Sequence, residues 1–165
     1  VSFIIGNADH SALAARVGVP FYYIPSKDNP KYEAQQLEVV AKFRPDFIAL
    51  ARYMKILSED FIERAGCPIV NIHHSFLPSF VGAKPYEMAY ERGVKLMGAT
   101  SHFVIPELDQ GPIIEQDVSR IRSGYSVDKL KQIGRDTEKK VFAQALKKVL
   151  EHKAVVFRGR TVIFE

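Results

Sequence analysis

The sequence predicts an α/β domain built on a mostly parallel sheet. Short apolar runs alternate with segments of helical periodicity along the whole chain. Apolar residues make up 47% and charged residues 25%, the balance of an ordinary globular protein, and 165 residues suffice to bury a core. The apolar runs are short, such as Phe47 to Ala51, far below the roughly 20 residues that span a bilayer.

Ser2 to Ile5 reads as the first strand. Asp9 is a candidate N-cap for a short helix with Leu13, Ala14 and Val17 on its apolar side. Pro20 ends that segment, Phe21 to Ile24 reads as a strand, and Pro25 to Pro30 as loop. Leu37, Val40 and Ala41 recur at helical spacing over Tyr32 to Phe43. Pro45 breaks that pattern before a strand, expected to be buried, from Asp46 to Ala51. Ser58 opens a helix with Phe61, Ile62 and Ala65 on one face and Gly66 as its stop. Pro68 to Ile72 is the next strand. A Pro/Gly-rich loop, Leu77 to Pro85, leads into a helix to about Arg92, with proline suited to the first helical position. Met97 to Val104 and Pro112 to Ser119 read as strands joined by a turn from Pro106 to Gly111. Val127 to Leu150 is the clearest helix, striped by Val127, Leu130, Ile133, Val141, Phe142, Ala145, Leu146 and Val149. Two β-like pieces, Ala154 to Phe157 and Thr161 to Phe164, flank the Arg158-Gly159-Arg160 turn. No repeat or linker divides the chain, so residues 1–165 read as one domain.

The single cysteine, Cys67, excludes an internal disulfide and fits a reducing compartment; it reads as a small buried apolar residue. Val1 to Ile5 has no basic region before it and no cleavage pattern after, which argues against a signal peptide and for a cytoplasmic protein. The net charge of +4 does not argue for nucleic acid. Its excess, at Lys139, Lys140, Lys147, Lys148, Lys153, Arg158 and Arg160, reads first as a solvated face, with a weak pull on an anionic ligand tail as the other reading.

In open α/β sheets ligands bind beyond the carboxyl ends of the strands. Two segments there carry reactive groups: Asn71-Ile72-His73-His74-Ser75 and Glu107-Leu108-Asp109-Gln110-Gly111. Asn71 and His73 are two apart, so an extended chain puts them on one face and His74 on the other. An amide donor beside an imidazole, with a carboxylate from a neighbouring loop, suits attack on a carbonyl. Asn71 would stabilise an oxyanion, an interaction whose loss costs about 3–4 kcal/mol. His73 would move a proton, and Asp109 would orient His73 and place a water, help worth roughly 10²–10⁴ in rate. The competing structural reading is that Asn71 and His73 satisfy local backbone groups and that Asp-Gln-Gly-Pro is simply a turn. Adjacent histidines diverge on an extended chain and no cysteine or carboxylate joins them at ligand spacing, so no metal is expected. Ser75 lacks the glycine-flanked elbow of a nucleophile. His102, within a strand, reads as a satisfied structural histidine whose side could also face the site.

Asn71-Ile72-His73 with Ser75 and Leu77-Pro78, then Leu108-Asp109 and Gly111-Pro112, resembles the folate-dependent formyltransferase superfamily. Within it the chain is most similar to the formyltetrahydrofolate deformylases. The similar stretches are Ala51-Arg52-Tyr53-Met54, His73 to Pro78, Gly82 to Tyr86, Ala89 to Leu96 and Gly111 to Val118. The resemblance implies a Rossmann-like, doubly wound, mostly parallel sheet, the formyltransferase fold. It implies hydrolysis of 10-formyltetrahydrofolate, with the Asn, His and Asp of the family motifs mapping to Asn71, His73 and Asp109. It implies a pterin held largely by main-chain groups of Met54-Lys55-Ile56-Leu57 and Ile105-Pro106-Glu107-Leu108, although Met54, Ile56 and Leu57 could equally pack in a core. It further implies a small-molecule folate substrate, no covalently bound cofactor, no nucleic-acid or membrane partner, and a homo-oligomer.

Val1 to Gly6 resembles the family's second strand. The resemblance therefore implies that the family's first strand and helix, and its amino-terminal ACT-type domain, are absent from this chain, which begins without methionine. The nearest alternative is formyl transfer to glycinamide ribonucleotide, which would use a Gly-rich phosphate loop after the first strand. The His74 and Phe76 pattern and the carboxyl-terminal segment favour the hydrolase. Formylation of initiator tRNA would call for a further RNA-binding domain, and a non-catalytic folate-binding fragment is the remaining class.

Overall fold

Strands and helices alternate along the computed structural model, which describes residues 1–78 and 85–165. In chain order they are β1 (Ile4–Gly6), α1 (Ser11–Arg16), β2 (Phe21–Tyr23), α2 (Tyr32–Phe43), β3 (Ile48–Leu50), α3 (Glu59–Arg64) and β4 (Ile69–His73). There follow α4 (Pro85–Glu91), β5 (Leu96–Phe103), β6 (Ile113–Arg120), α5 (Val127–Leu150), β7 (Ala154–Phe157) and β8 (Arg160–Ile163). The α/β class is as the sequence predicts. The expected loop from Leu77 to Pro85 lies, over residues 79–84, outside the described residues. Two units divide the chain: Val1–Ile48 with Leu57–Pro68, and Ala49–Ile56 with Ile69–Glu165.

In the first unit β1 and β2 pair in parallel, Ile4 with Phe21 through Gly6 with Tyr23. The expected cap of α1 is corrected. His10 occupies the N-cap position without a side-chain bond, and the Asp9 carboxylate instead accepts from the Ser11 amide at 2.9 Å. Of its expected apolar side only Ala14 is buried, because Val17 falls beyond the helix and Leu13 faces solvent. Helix α2 has the predicted bounds, but Val39 rather than Ala41 joins Gln36, Leu37 and Val40 in the buried set. Ser58 caps α3, accepting from the Phe61 amide at 3.0 Å while Glu33 holds the Ser58 hydroxyl and amide. Cys67 is half-buried rather than buried, and burial followed by the Asp46 carboxylate pushes its thiol up.

A second sheet has the order β3-β4-β5-β6, and β3 is only partly buried because it stands at the sheet's edge. Pairing is antiparallel from β4 to β5 and from β5 to β6, so the fold's strand pairing is mixed. The short 104–112 connection permits no other direction for β6. Strand β5 is the spine of the second unit, buried at every residue from Met97 to Phe103. Helix α5 has the predicted bounds, capped by Ser126, and packs against β4, β5 and β6. Its buried row is Leu130, Gly134, Thr137, Val141 and Ala145. Burying each of its larger aliphatic side chains stabilises by about 1.5–3 kcal/mol. Strands β7 and β8 form a hairpin closed by Arg158 and Gly159, both at positive φ, the backbone a two-residue turn needs. No helix among the described residues is long and apolar enough to cross a membrane.

Candidate active site

Strand β4 delivers two of the candidate groups and its register with β5 delivers a third. Asn71 lies directly across from His102, and His73 across from Thr100. Residues two apart share a strand face, so Asn71, His73, Thr100 and His102 form one patch. At His102 the β5/β6 register slips, Ser101 facing Glu115 and His102 facing Ile113. Such a bulge increases local twist and re-aims the side chain beside it.

Asp109 reaches this patch from the loop between β5 and β6. Its Oδ2 is 3.3 Å from His73 Nδ1, and its Oδ1 is 3.6 Å from His102 Nε2. The three side chains are 8%, 14% and 3% exposed for His73, Asp109 and His102, so their mutual field is little screened by water. Asp109 holds φ of 56°, in the left-handed region that aspartate tolerates better than most residues. Gly111 lets the loop close: a Cβ there would sit 1.7 Å from the Phe103 carbonyl oxygen. The adjoining Phe103 amide donates to Pro112 O at 2.9 Å, which fastens the return of the chain.

Hydrogen bonding fixes the protons. His102 Nδ1 is 2.8 Å from the Phe103 carbonyl oxygen, a partner that only an N–H satisfies. Nδ1 therefore donates, and Nε2 faces the Asn71 amide nitrogen at 3.3 Å, a donor from which a ring nitrogen must accept. Beneath the patch, Ser101 donates to Asn71 O at 3.0 Å. Thr100 donates to Ser75 O at 2.9 Å, and its oxygen accepts from the Leu77 amide at 3.0 Å and Gln116 Nε2 at 2.9 Å. These bonds clamp the chain leaving β4. His74 departs from the expected alternation: its ring centroid is 5.1 Å from that of His73 and 6.2 Å from that of Tyr86, because β4 ends at His73.

The structure thus brings Asn71, His73 and Asp109 together and adds His102, whose place the cross-strand register with Asn71 could have signalled. Of the two candidate binding loops, Met54, Lys55 and Ile56 are exposed, so core packing does not explain Met54 and Ile56, whereas Leu57 is buried. Pro106, Glu107 and Leu108 are exposed and Ile105 is half-buried. Among the described residues no group of three or more His, Cys, Asp or Glu is placed to hold a metal ion.

Comparison with known proteins gives the family of the chain. Residues 4–146 match the formyl transferase family. The formyltetrahydrofolate deformylase of Bacillus subtilis (strain 168) is 45% identical over 99% of this chain and 56% of its own length. A solved formyltetrahydrofolate deformylase from Pseudomonas syringae pv. tomato has a TM-score of 0.94 at 43% identity, covering 100% of this chain and 56% of that one. Glycinamide ribonucleotide transformylase 1 from Symbiobacterium toebii has a TM-score of 0.91 at 28% identity, over 100% of this chain and 81% of its own. The chain spans just over half the length of the deformylases it matches.

Proposed function

The chain belongs to the formyl transferase family, and from that premise we propose that its site hydrolyses 10-formyltetrahydrofolate to formate and tetrahydrofolate. The observation that carries the reading is the His73–Asp109 contact at 3.3 Å, nearly buried and beside Asn71. The greater identity to deformylases, 45% and 43% against 28% for the transformylase, favours water over an amine as the acceptor.

Asp109 and His73 hold a water and take one of its protons as its oxygen attacks the formyl carbon. Negative charge gathers on the carbonyl oxygen, where Asn71 and the His73 imidazolium donate hydrogen bonds. The carbon–nitrogen bond then breaks, and the proton taken from water passes through His73 or Asp109 to the leaving N10. Formate departs with its own acidic proton lost to solvent. The loops Met54-Lys55-Ile56-Leu57 and Ile105-Pro106-Glu107-Leu108 hold the pterin through backbone groups, and exposed Met54, Ile56 and Leu108 supply apolar walls. The same reading takes the folate as a small-molecule substrate, with no covalently bound cofactor, no resident metal and no nucleic-acid or membrane partner. It places the chain in the cytoplasm as part of a homo-oligomer, which its single cysteine suits.

The test is formate release from 10-formyltetrahydrofolate by the chain, with and without glycinamide ribonucleotide, beside Asp109→Ala. Formate formed without the acceptor and lost in the variant supports the hydrolase. Turnover only with the acceptor converts the reading to a transferase, and folate binding without turnover converts it to a binding fragment.

A further inference from the structure

The His102 ring does more than fill a strand. It is 2% exposed, and its two nitrogens are committed to different partners. Nδ1 donates to the carbonyl of Phe103, a neighbour within its own strand, at 2.8 Å. Nε2 faces the Asn71 amide at 3.3 Å across the β4/β5 ladder and Asp109 Oδ1 at 3.6 Å. With Nδ1 donating to Phe103 O and the Asn71 amide nitrogen, itself a donor, facing Nε2, the geometry calls for a lone pair at Nε2. A lone pair accepts the Asn71 N–H, whereas Asp109 Oδ1 at 3.6 Å lies beyond hydrogen-bonding distance.

We propose that His102 is a positioning residue, one that accepts an Asn71 N–H at Nε2 and so turns the second N–H of that amide toward the oxygen on which charge develops. This rests on the hydrolytic reading of the same site. An asparagine side chain rotates about two bonds, and either end of its amide fits most polar surroundings. Fixing one N–H removes that freedom. The Phe103 carbonyl selects the tautomer, the tautomer selects the end of the amide, and the amide presents a donor where an amide oxygen would repel the oxyanion. The bulge beside His102 and the Ser101 bond to Asn71 O hold both backbones in register for this contact.

Two substitutions separate this role from a structural one. His102→Asn places an amide where Nδ1 stood, keeping the Phe103 bond and losing the acceptor at Nε2. His102→Gln places an amide oxygen near the Nε2 position and restores the acceptor. Positioning predicts that His102→Asn lowers kcat for formate release about 100-fold, the cost of a misplaced catalytic group, with KM for the folate unchanged. His102→Gln recovers most of that loss. A histidine needed only for its Phe103 anchor predicts the reverse order, with Asn the better replacement, and that order overturns the proposal.

An NMR arm decides the matter without turnover. The ¹⁵N signals of His102 should report a protonated Nδ1 and a bare Nε2. Exchange of the Asn71 side-chain amide protons should be slow in the wild type and in His102→Gln and fast in His102→Asn. Equal exchange in all three proteins, or a protonated Nε2 in the resting wild type, overturns the proposal. A wild type that releases no formate sinks the hydrolase reading and leaves this arm to judge His102. If His102→Asn does not fold, the wild-type tautomer and His102→Gln exchange still decide.

Discussion

Asp109 meets His73 at 3.3 Å from a backbone that few residues adopt, with φ at 56°. The left-handed turn lifts the carboxylate out of the β5–β6 connection and over the β4 face, and it is sustained by Gly111 two residues later. That backbone holds the Asp109 carboxylate at the junction of two buried imidazoles.

Asp109→Asn isolates the charge. Asparagine tolerates the left-handed region as well as aspartate does and keeps the side chain's shape. The expected result is a fall in kcat of about 10²–10⁴-fold, the usual worth of a positioned acid–base group, with folate affinity and thermal stability retained. Formate release and folate titration on the same preparation check it. A variant with wild-type kcat would remove Asp109 from the reacting groups.

Gly111→Ala tests the loop instead of the charge. The added carbon would lie 1.7 Å from the Phe103 carbonyl oxygen and 2.8 Å from its carbon, so backbone has to move. We expect a loss of about 1–3 kcal/mol in stability from overpacking. We expect kcat to fall roughly 100-fold as Asp109 is displaced from the histidines. Thermal melts and formate release measure the two together. Unchanged values for both would contradict the close approach of this loop to β5.

The long elements were legible in the sequence, and the lateral relationships were not. Helices α2 and α5 have the predicted bounds because Pro30 and Pro45 flank one and Ser126 caps the other, local signals that do not depend on what packs alongside. Of the row that α5 buries, Leu130, Val141 and Ala145 were legible, and Gly134 and Thr137 were not. Gly134 and Thr137 are not apolar by type, yet they face Tyr86 and Ser119, and only the packed neighbours say so. Leu13 and Val17 show the converse, apolar residues that remain in solvent. Asn71, His73 and Asp109 stood out because polar groups at strand ends are chemically conspicuous. His102 did not, because a histidine inside a strand reads as structural until the register sets it across from Asn71.

Tyr86 should give the fold an alkaline limit. Its hydroxyl donates to Glu138 on α5, and burial, then that hydrogen bond and the Glu138 charge, push the phenol well above its usual range. The folded chain therefore keeps a proton that the unfolded chain gives up above about pH 10, the ordinary tyrosine value. By linkage this stabilisation is complete below pH 10 and is lost as pH rises through the folded value. Tyr86→Phe should be less stable than wild type at pH 8 by about 1 kcal/mol, the worth of one hydrogen bond, and should lose less on going to pH 11. The raised ammonium values of Lys131 and Lys140, each bonded to a carboxylate, contribute equally to both proteins. Urea unfolding at the two pH values reads the difference, and parallel losses would show that Tyr86 is not held as described.

Gly134→Ala sets helix propensity against packing, and the two predict opposite signs. In an isolated helix interior the change stabilises by about 1 kcal/mol. Here the new carbon would fall 2.3 Å from Tyr86 Cε1, 2.5 Å from its hydroxyl oxygen and 2.6 Å from Cζ. The ring has to move, and moving it breaks the bond to Glu138. Overpacking of this kind costs about 1–3 kcal/mol, so Gly134→Ala is expected to destabilise. In a Tyr86→Ala background the obstruction is gone and the same substitution should stabilise. Denaturant unfolding of the four proteins in that cycle gives the coupling between α4 and α5. A stabilised Gly134→Ala single variant would mean that Tyr86 does not rest on Gly134.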